Sequence, residues 1–294
     1  MKIKELKRIL EIKKLDCVLL LNTNSLETNP NMFYFTRYPG IGALVIPKKQ
    51  NPFLIVPEME YERAKKSIIS KVYKMNKKKF FESIETIIKK NKVKTNNIAI
   101  DGSNLTLNLY KNFKKHFKKI KAKDVSQECL RLRETKNQKE IQFLKKSCDY
   151  ANNILKKAIN NLKSFKTEPE MASFLEYETK KLGLDVSFPP IVASGINSSI
   201  PHHEPKSKLK KGFCVIDFGV KYQGYCSDMT RTIYLGKPSK KEKDVYNFLL
   251  NIQKNTIQDI KLGDSCGKIY NNCVKSLKNY SEYFTHGLGH GVGA

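Results

Sequence analysis

The chain has 294 residues, 40% of them hydrophobic, which suffices for two cored domains and excludes a disordered protein; no apolar run reaches the roughly 18 residues of a membrane-spanning helix. A net charge of +27, from 55 basic and 28 acidic side chains, would attract nucleic acid, but lysines run along the whole chain without a binding motif, so a nucleic-acid partner is discounted. Seven cysteines, an odd number with no C-x-x-C pair, exclude a disulfide framework and a zinc ribbon and fit reduced thiols in a soluble, cytoplasmic protein.

Ile3, Leu6 and Leu10 predict an amphipathic helix that leads into a strand from Asp16 to Leu21. That apolar stretch is too short for a signal-peptide core, and Asp16 interrupts it. Ala43–Ile46 and Phe53–Val56, separated by a turn rich in Lys, Asn and Pro, predict a β-hairpin. Tyr61–Ile69 reads as a helix, and Ile84, Ile87 and Ile88, three and four apart, mark another; Ile98–Asp101 is a short strand. The densest basic stretch, Lys111–Lys123, also carries Phe113, Phe117 and Ile120 at helical spacing and reads as the solvated face of a packed helix. The alternation predicts a small α/β domain over residues 1–125.

A boundary near Ser126–Glu134 opens a second domain, 126–294. Thr135 with Gln138 has the spacing of a capping box, in which a hydroxyl and an amide satisfy free backbone N–H groups reciprocally. Ile141, Leu144, Cys148, Ala151, Leu155 and Ala158 then trace one apolar stripe. Thr167 with Glu170 repeats the signal ahead of Met171, Phe174 and Leu175, with Gly183 as the stop. Ser239 with Glu242 opens a third helix carrying Val245, Phe248, Leu249 and Ile252. Helices flanking a strand-rich centre predict an α+β domain.

Three segments carry chemistry. Phe213–Leu235 alternates apolar and polar residues around a break at Lys221–Gly224, which predicts an antiparallel hairpin. A turn centred between Tyr222 and Gln223 sets Asp217 opposite Asp228, with Cβ atoms about 4.5–5.5 Å apart. Facing carboxylates repel, so three readings compete: a divalent cation bridged by both, an acid–base pair sharing a proton, or two surface residues on opposite faces if the register is wrong by one. In Thr285–Ala294, His286, Leu288, His290 and Val292 share one face of an extended chain, and the glycines on the other face would admit another backbone or a substrate. Val192–Pro205 is a loop in which His202, stiffened by Pro201, suits proton transfer or charge stabilisation near neutral pH, whereas His203 reads as exposed.

Taken together, VASGINSSIPHHEP, DFGVKYQGYCSDMTRT and HGLGHGVG resemble, in order, the signatures of the M24 metallopeptidases, the "pita-bread" fold of prolidases and Xaa-Pro aminopeptidases. RLRETKNQKEI resembles the entry to their catalytic domain, and NMFYFTRYPGIGALVIP sits where the creatinase-type N-terminal domain has its counterpart. The resemblance implies an α/β creatinase-type domain followed by an α+β pita-bread catalytic domain. It implies Asp217, Asp228 and His290 as metal ligands, His202 as the residue that binds substrate and stabilises the tetrahedral intermediate, and His286 beside the substrate. Two divalent ions (Mn, Co, Fe or Zn) would activate a water to attack peptide bonds in which proline is the second residue; a prolyl bond has no N–H for ordinary peptidase clefts to read. Dimerisation is common in the family, so a homodimer is among the expected partners. The family also supplies two glutamate ligands and a further histidine beyond the position of His290, so a chain ending at Ala294 reads as a truncated, weakly active form. The alternatives are a methionine-aminopeptidase-like specificity and a non-catalytic protein-binding module on the same fold.

Overall fold

Five consecutive apolar residues, Cys17–Leu21, need a sheet covered on both faces, because a strand sends alternate side chains to opposite sides. The strand Cys17–Asn22 (β1) meets this by lying inside a six-stranded mixed sheet. In the computed structural model, residues 2–24, 28–76, 79–118 and 120–294 are described. They divide into two units, one extending to Gln138 and one covering Lys139–Gly293.

In the first unit α1 (Lys2–Ile12) precedes β1, and α2 (Pro30–Thr36) precedes β2 (Gly42–Pro47) and β3 (Phe53–Val56). There follow α3 (Tyr61–Ala64), β4 (Val72–Lys74), α4 (Phe80–Lys90), β5 (Asn97–Ile100), α5 (Leu107–His116), β6 (Lys121–Asp124) and α6 (Ser126–Glu134). The sheet order is β4-β3-β2-β1-β5-β6. Cys17, Leu19 and Leu21 pack with Ile84, Ile87 and Ile88 of α4 and Phe113 of α5. Val18 and Leu20 face the other way, onto Leu6 and Leu10 of α1 and Met32 and Phe35 of α2. The expected hairpin forms, with Ala43 opposite Ile55. The helix expected over Tyr61–Ile69 is a single α-turn after a 3₁₀ turn at Glu58–Glu60. The Lys111–Lys123 stretch splits: α5 ends at His116, and Lys121–Asp124 becomes an edge strand whose backbone pairs with β5.

The second unit holds α7 (Gln138–Asn160) from its second residue on and α8 (Glu168–Lys181), then β7 (Asp185–Val186), β8 (Ile191–Ser194), β9 (Gly212–Phe218), β10 (Val220–Tyr222), β11 (Tyr225–Cys226) and β12 (Met229–Leu235). Two further helices, α9 (Lys240–Asp259) and α10 (Cys266–Ser276), complete it. The strands make two three-stranded sheets, β12-β9-β8 and β11-β10-β7. The capping boxes at Thr167/Glu170 and Ser239/Glu242 form as expected. The one at Thr135/Gln138 does not: α7 begins at Gln138 itself, and Thr135 closes α6. The expected stripe of α7 holds at Ala151, Leu155 and Ala158, but Ser147 is buried where Cys148 was expected, and Cys148 is exposed. No helix among the described residues is long and apolar enough to cross a membrane.

Candidate metal centre

Strand β9 separates two environments by parity. Cys214, Ile216 and Phe218 are buried against Ile154 and Leu155 of α7 and Met171 and Leu175 of α8. Phe213, Val215 and Asp217 point to the opposite, partly open face. The hairpin itself turns between Gln223 and Gly224, not between Tyr222 and Gln223: Tyr222 pairs with Tyr225, and both central residues have positive φ (52° and 79°), as a tight type I′-like turn demands. Asp217 therefore stands opposite Thr230 rather than Asp228. Moving the turn by one whole residue displaces the pairing by two positions, so both aspartates keep the same face and Asp228 becomes Asp217's diagonal neighbour. Gln223 carries a left-handed backbone that costs an ordinary L-residue about 1–2 kcal/mol. Gln223→Asn is expected to raise stability by up to about 1 kcal/mol, since Asn tolerates that conformation. An unchanged or lowered melting temperature would contradict this account of the turn.

The approach of Asp228 is set by its neighbours. Gly219 lies so near the returning chain that a Cβ there would be 2.0 Å from the Ser227 carbonyl oxygen. Ser227 is buried; its amide donates to the Val220 carbonyl at 3.0 Å and its hydroxyl accepts from the Val220 amide at 2.9 Å. Ser147 of α7 accepts from the same Ser227 amide at 3.0 Å. The two backbones are thereby locked together just before Asp228, which holds its carboxylate diagonal to Asp217.

Burial raises the Asp217 carboxyl above its ordinary value, the negative charge of Asp228 raises it further, and a hydrogen bond donated by Thr230 Oγ1 at 3.0 Å opposes both. His290 Nε2 lies 3.1 Å from Asp228 Oδ2. The imidazole is held above its ordinary pKa first by its 3.0 Å contact from Nδ1 to the Gly291 carbonyl, then by the charge of Asp228. Among the described residues no three His, Cys, Asp or Glu side chains close into a ready metal cage. The donors instead touch pairwise, Asp217 with Asp228 and Asp228 with His290. Two hard oxygen donors, one borderline nitrogen and a like-charge pair fit the chemistry of a divalent cation.

The other expected residues separate. Residues 284–294 form no regular strand, and a Cβ at Gly287, Gly289 or Gly291 would meet nothing within 4 Å, so these glycines are not admitting a neighbouring backbone. His286 packs edge-on to Phe284 at 4.5 Å and, with Leu288, borders an apolar cavity of about 810 Å³ between α9 and α10, while His290 turns to Asp228. His202 is exposed, with a left-handed φ of 54°. His203, expected to be exposed, is buried, its Nε2 2.9 Å from Glu168 Oε2. The correction follows from a group that sequence reasoning missed: Glu168 is wholly buried and needs donors. Burial alone would raise its carboxyl, but hydrogen bonds from Asn197, His203 and Ser194 outweigh that and hold it at about 2. The available signal was the second acid in Thr167–Glu170: only Glu170 serves the capping box, leaving Glu168 unexplained.

Comparison with known proteins matches residues 142–294 to metallopeptidase family M24 and residues 2–135 to the creatinase/prolidase N-terminal domain. The chain is 32% identical over 300 aligned positions to a Xaa-Pro dipeptidase of Pyrococcus horikoshii, covering 99% of this chain and 81% of that one. It is 35% identical to the Xaa-Pro dipeptidase of Pyrococcus furiosus, over 90% of this chain and 75% of that one. Among solved structures, the X-Pro aminopeptidase of Thermotoga maritima superposes with a TM-score of 0.87 at 27% identity, covering 97% of this chain and 82% of that one. The Pyrococcus horikoshii prolidase gives 0.87 at 32% identity, covering 99% and 82%.

Proposed function

Because the chain belongs to metallopeptidase family M24, with a creatinase/prolidase-type domain ahead of the catalytic one, we propose that it hydrolyses Xaa-Pro peptide bonds with Asp217, Asp228 and His290 among its metal ligands. The family is metal-dependent, and the reading here is two ions of Mn, Co, Fe or Zn. The observation that carries the assignment is the diagonal Asp217–Asp228 pair with His290 on the outer carboxylate.

A divalent ion, when bound, supplies the Lewis acid that polarises the scissile carbonyl and acidifies the attacking water. The chain's own groups do the rest. Thr230 holds Asp217 by one oxygen and so fixes the direction of the other. His290, set by Gly291 and Asp228, keeps its ring beside the carboxylates. His202, on a constrained backbone in a loop, donates a hydrogen bond to the oxygen on which negative charge develops. His286, which borders the apolar cavity, flanks the substrate. A cytoplasmic location and a homodimer accompany this reading.

The test is cleavage of Xaa-Pro dipeptides and of longer peptides with proline second, with matched Xaa-Ala controls, after loading with Mn²⁺ or Co²⁺. Proline-dependent release that disappears on chelation is the expected result. Cleavage of the alanine controls at equal rate, or none of either, would sink the specificity and the activity respectively. The two peptide lengths separate dipeptidase from aminopeptidase.

A further inference from the structure

A buried carboxylate whose donors come from one loop works as a tether, because each donor left unpaired in the interior costs free energy. Glu168 begins α8, and its two oxygens gather the chain that follows β8. Oε1 accepts from the Ser194 amide (2.8 Å), the Ser194 hydroxyl (2.9 Å) and Asn197 Nδ2 (3.0 Å). Oε2 meets His203 Nε2 (2.9 Å) and accepts from the Ser207 hydroxyl (3.0 Å) and amide (3.3 Å). The Glu168 amide donates back to the Ser207 carbonyl at 2.8 Å, so the far end of the loop is pinned to the same residue.

The tether acts on His202 by exclusion. Adjacent side chains cannot both enter one buried pocket. His203, 6% exposed, takes the pocket over Glu168, and the left-handed backbone at His202 fixes the way the other imidazole leaves. We infer that Glu168 and His203 are positioning residues, which never touch substrate but hold the 194–207 loop so that His202 is presented in one orientation. The catalytic half of this inference rests on the peptidase reading; the tether does not.

The experiment uses the full chain with Mn²⁺. His203→Ala removes one donor and leaves the carboxylate. It should lower kcat on Xaa-Pro dipeptides about ten- to a hundredfold with little change in KM, the signature of a misplaced transition-state contact. His203→Gln, which keeps an N–H in reach of Oε2, should recover most of the loss. In a His202→Ala background, His203→Ala should add less than about a twofold effect, because one residue acts through the other. Amide hydrogen exchange across residues 195–207 should accelerate in His203→Ala, with or without metal, while β9 stays protected. Unchanged exchange in that loop, or losses from the two substitutions that multiply independently, would overturn the inference. Should the unsubstituted chain cleave no Xaa-Pro peptide, the peptidase reading fails and the exchange comparison alone decides the tether.

Discussion

Asp228→Asn is expected to cut divalent-metal affinity at least about a hundredfold, since loss of a direct ligand costs no less than loss of an outer-shell partner. Metal-dependent peptidase activity should fall with it. The metal-free protein should unfold no earlier than the unsubstituted one. The asymmetry follows from the geometry. Asp217 is held above its ordinary pKa by burial and then by Asp228, so an amide in place of Asp228 removes repulsion as it removes a ligand. Asn keeps the shape needed after the locked Ser227 backbone. Two further readouts accompany the loss: the Asp217 carboxyl should titrate lower, and His290 should lose the part of its raised pKa that the Asp228 charge supplies. Titration calorimetry with Mn²⁺ and Co²⁺ measures the affinity, and circular dichroism the fold. Unaltered metal stoichiometry and affinity would remove Asp228 from the ligand set.

The pairing of the two aspartates illustrates how far sequence reaches. Alternation of apolar and polar residues from Phe213 to Leu235 is strong enough to reveal the hairpin, since Cys214, Ile216 and Phe218 must share the covered face. It does not locate the turn, because parity is indifferent to a shift by two. The turn was readable in Gln223–Gly224, where glycine suits a central position that needs positive φ. On α7 the stripe from Ala151 to Ala158 was legible, but farther back the helix meets the polar junction at Ser227, so Ser147 enters and Cys148 stays out. Burial of a serine there depends on a partner 80 residues away, which no local pattern contains. His203 and Glu168 fail for the same reason: a buried histidine and a buried acid are each improbable by type and become stable only as a pair brought together by the fold.

Glu168→Ala should therefore cost more than its ordinary position at the start of a helix suggests. Removing the carboxylate leaves the Ser194, Asn197, His203 and Ser207 donors without their common acceptor. Each buried donor left unsatisfied typically costs about 1–3 kcal/mol. Urea unfolding at neutral pH, followed by hydrogen exchange in β8 and β9, measures it; a loss under about 1 kcal/mol would show that water replaces the carboxylate freely. The pH dependence has a defined sign. Glu168 titrates at about 2 in the folded chain, below its ordinary 4.5, so its stabilisation is fully present above 4.5 and is lost progressively as pH falls toward 2. In Glu168→Gln that acid-sensitive component should be absent, so the stability curves of the two proteins should converge between pH 4.5 and 2. Parallel curves through that range would place the acid-labile charge elsewhere. Converging curves would identify this one carboxylate as the point at which acid releases the His202 loop.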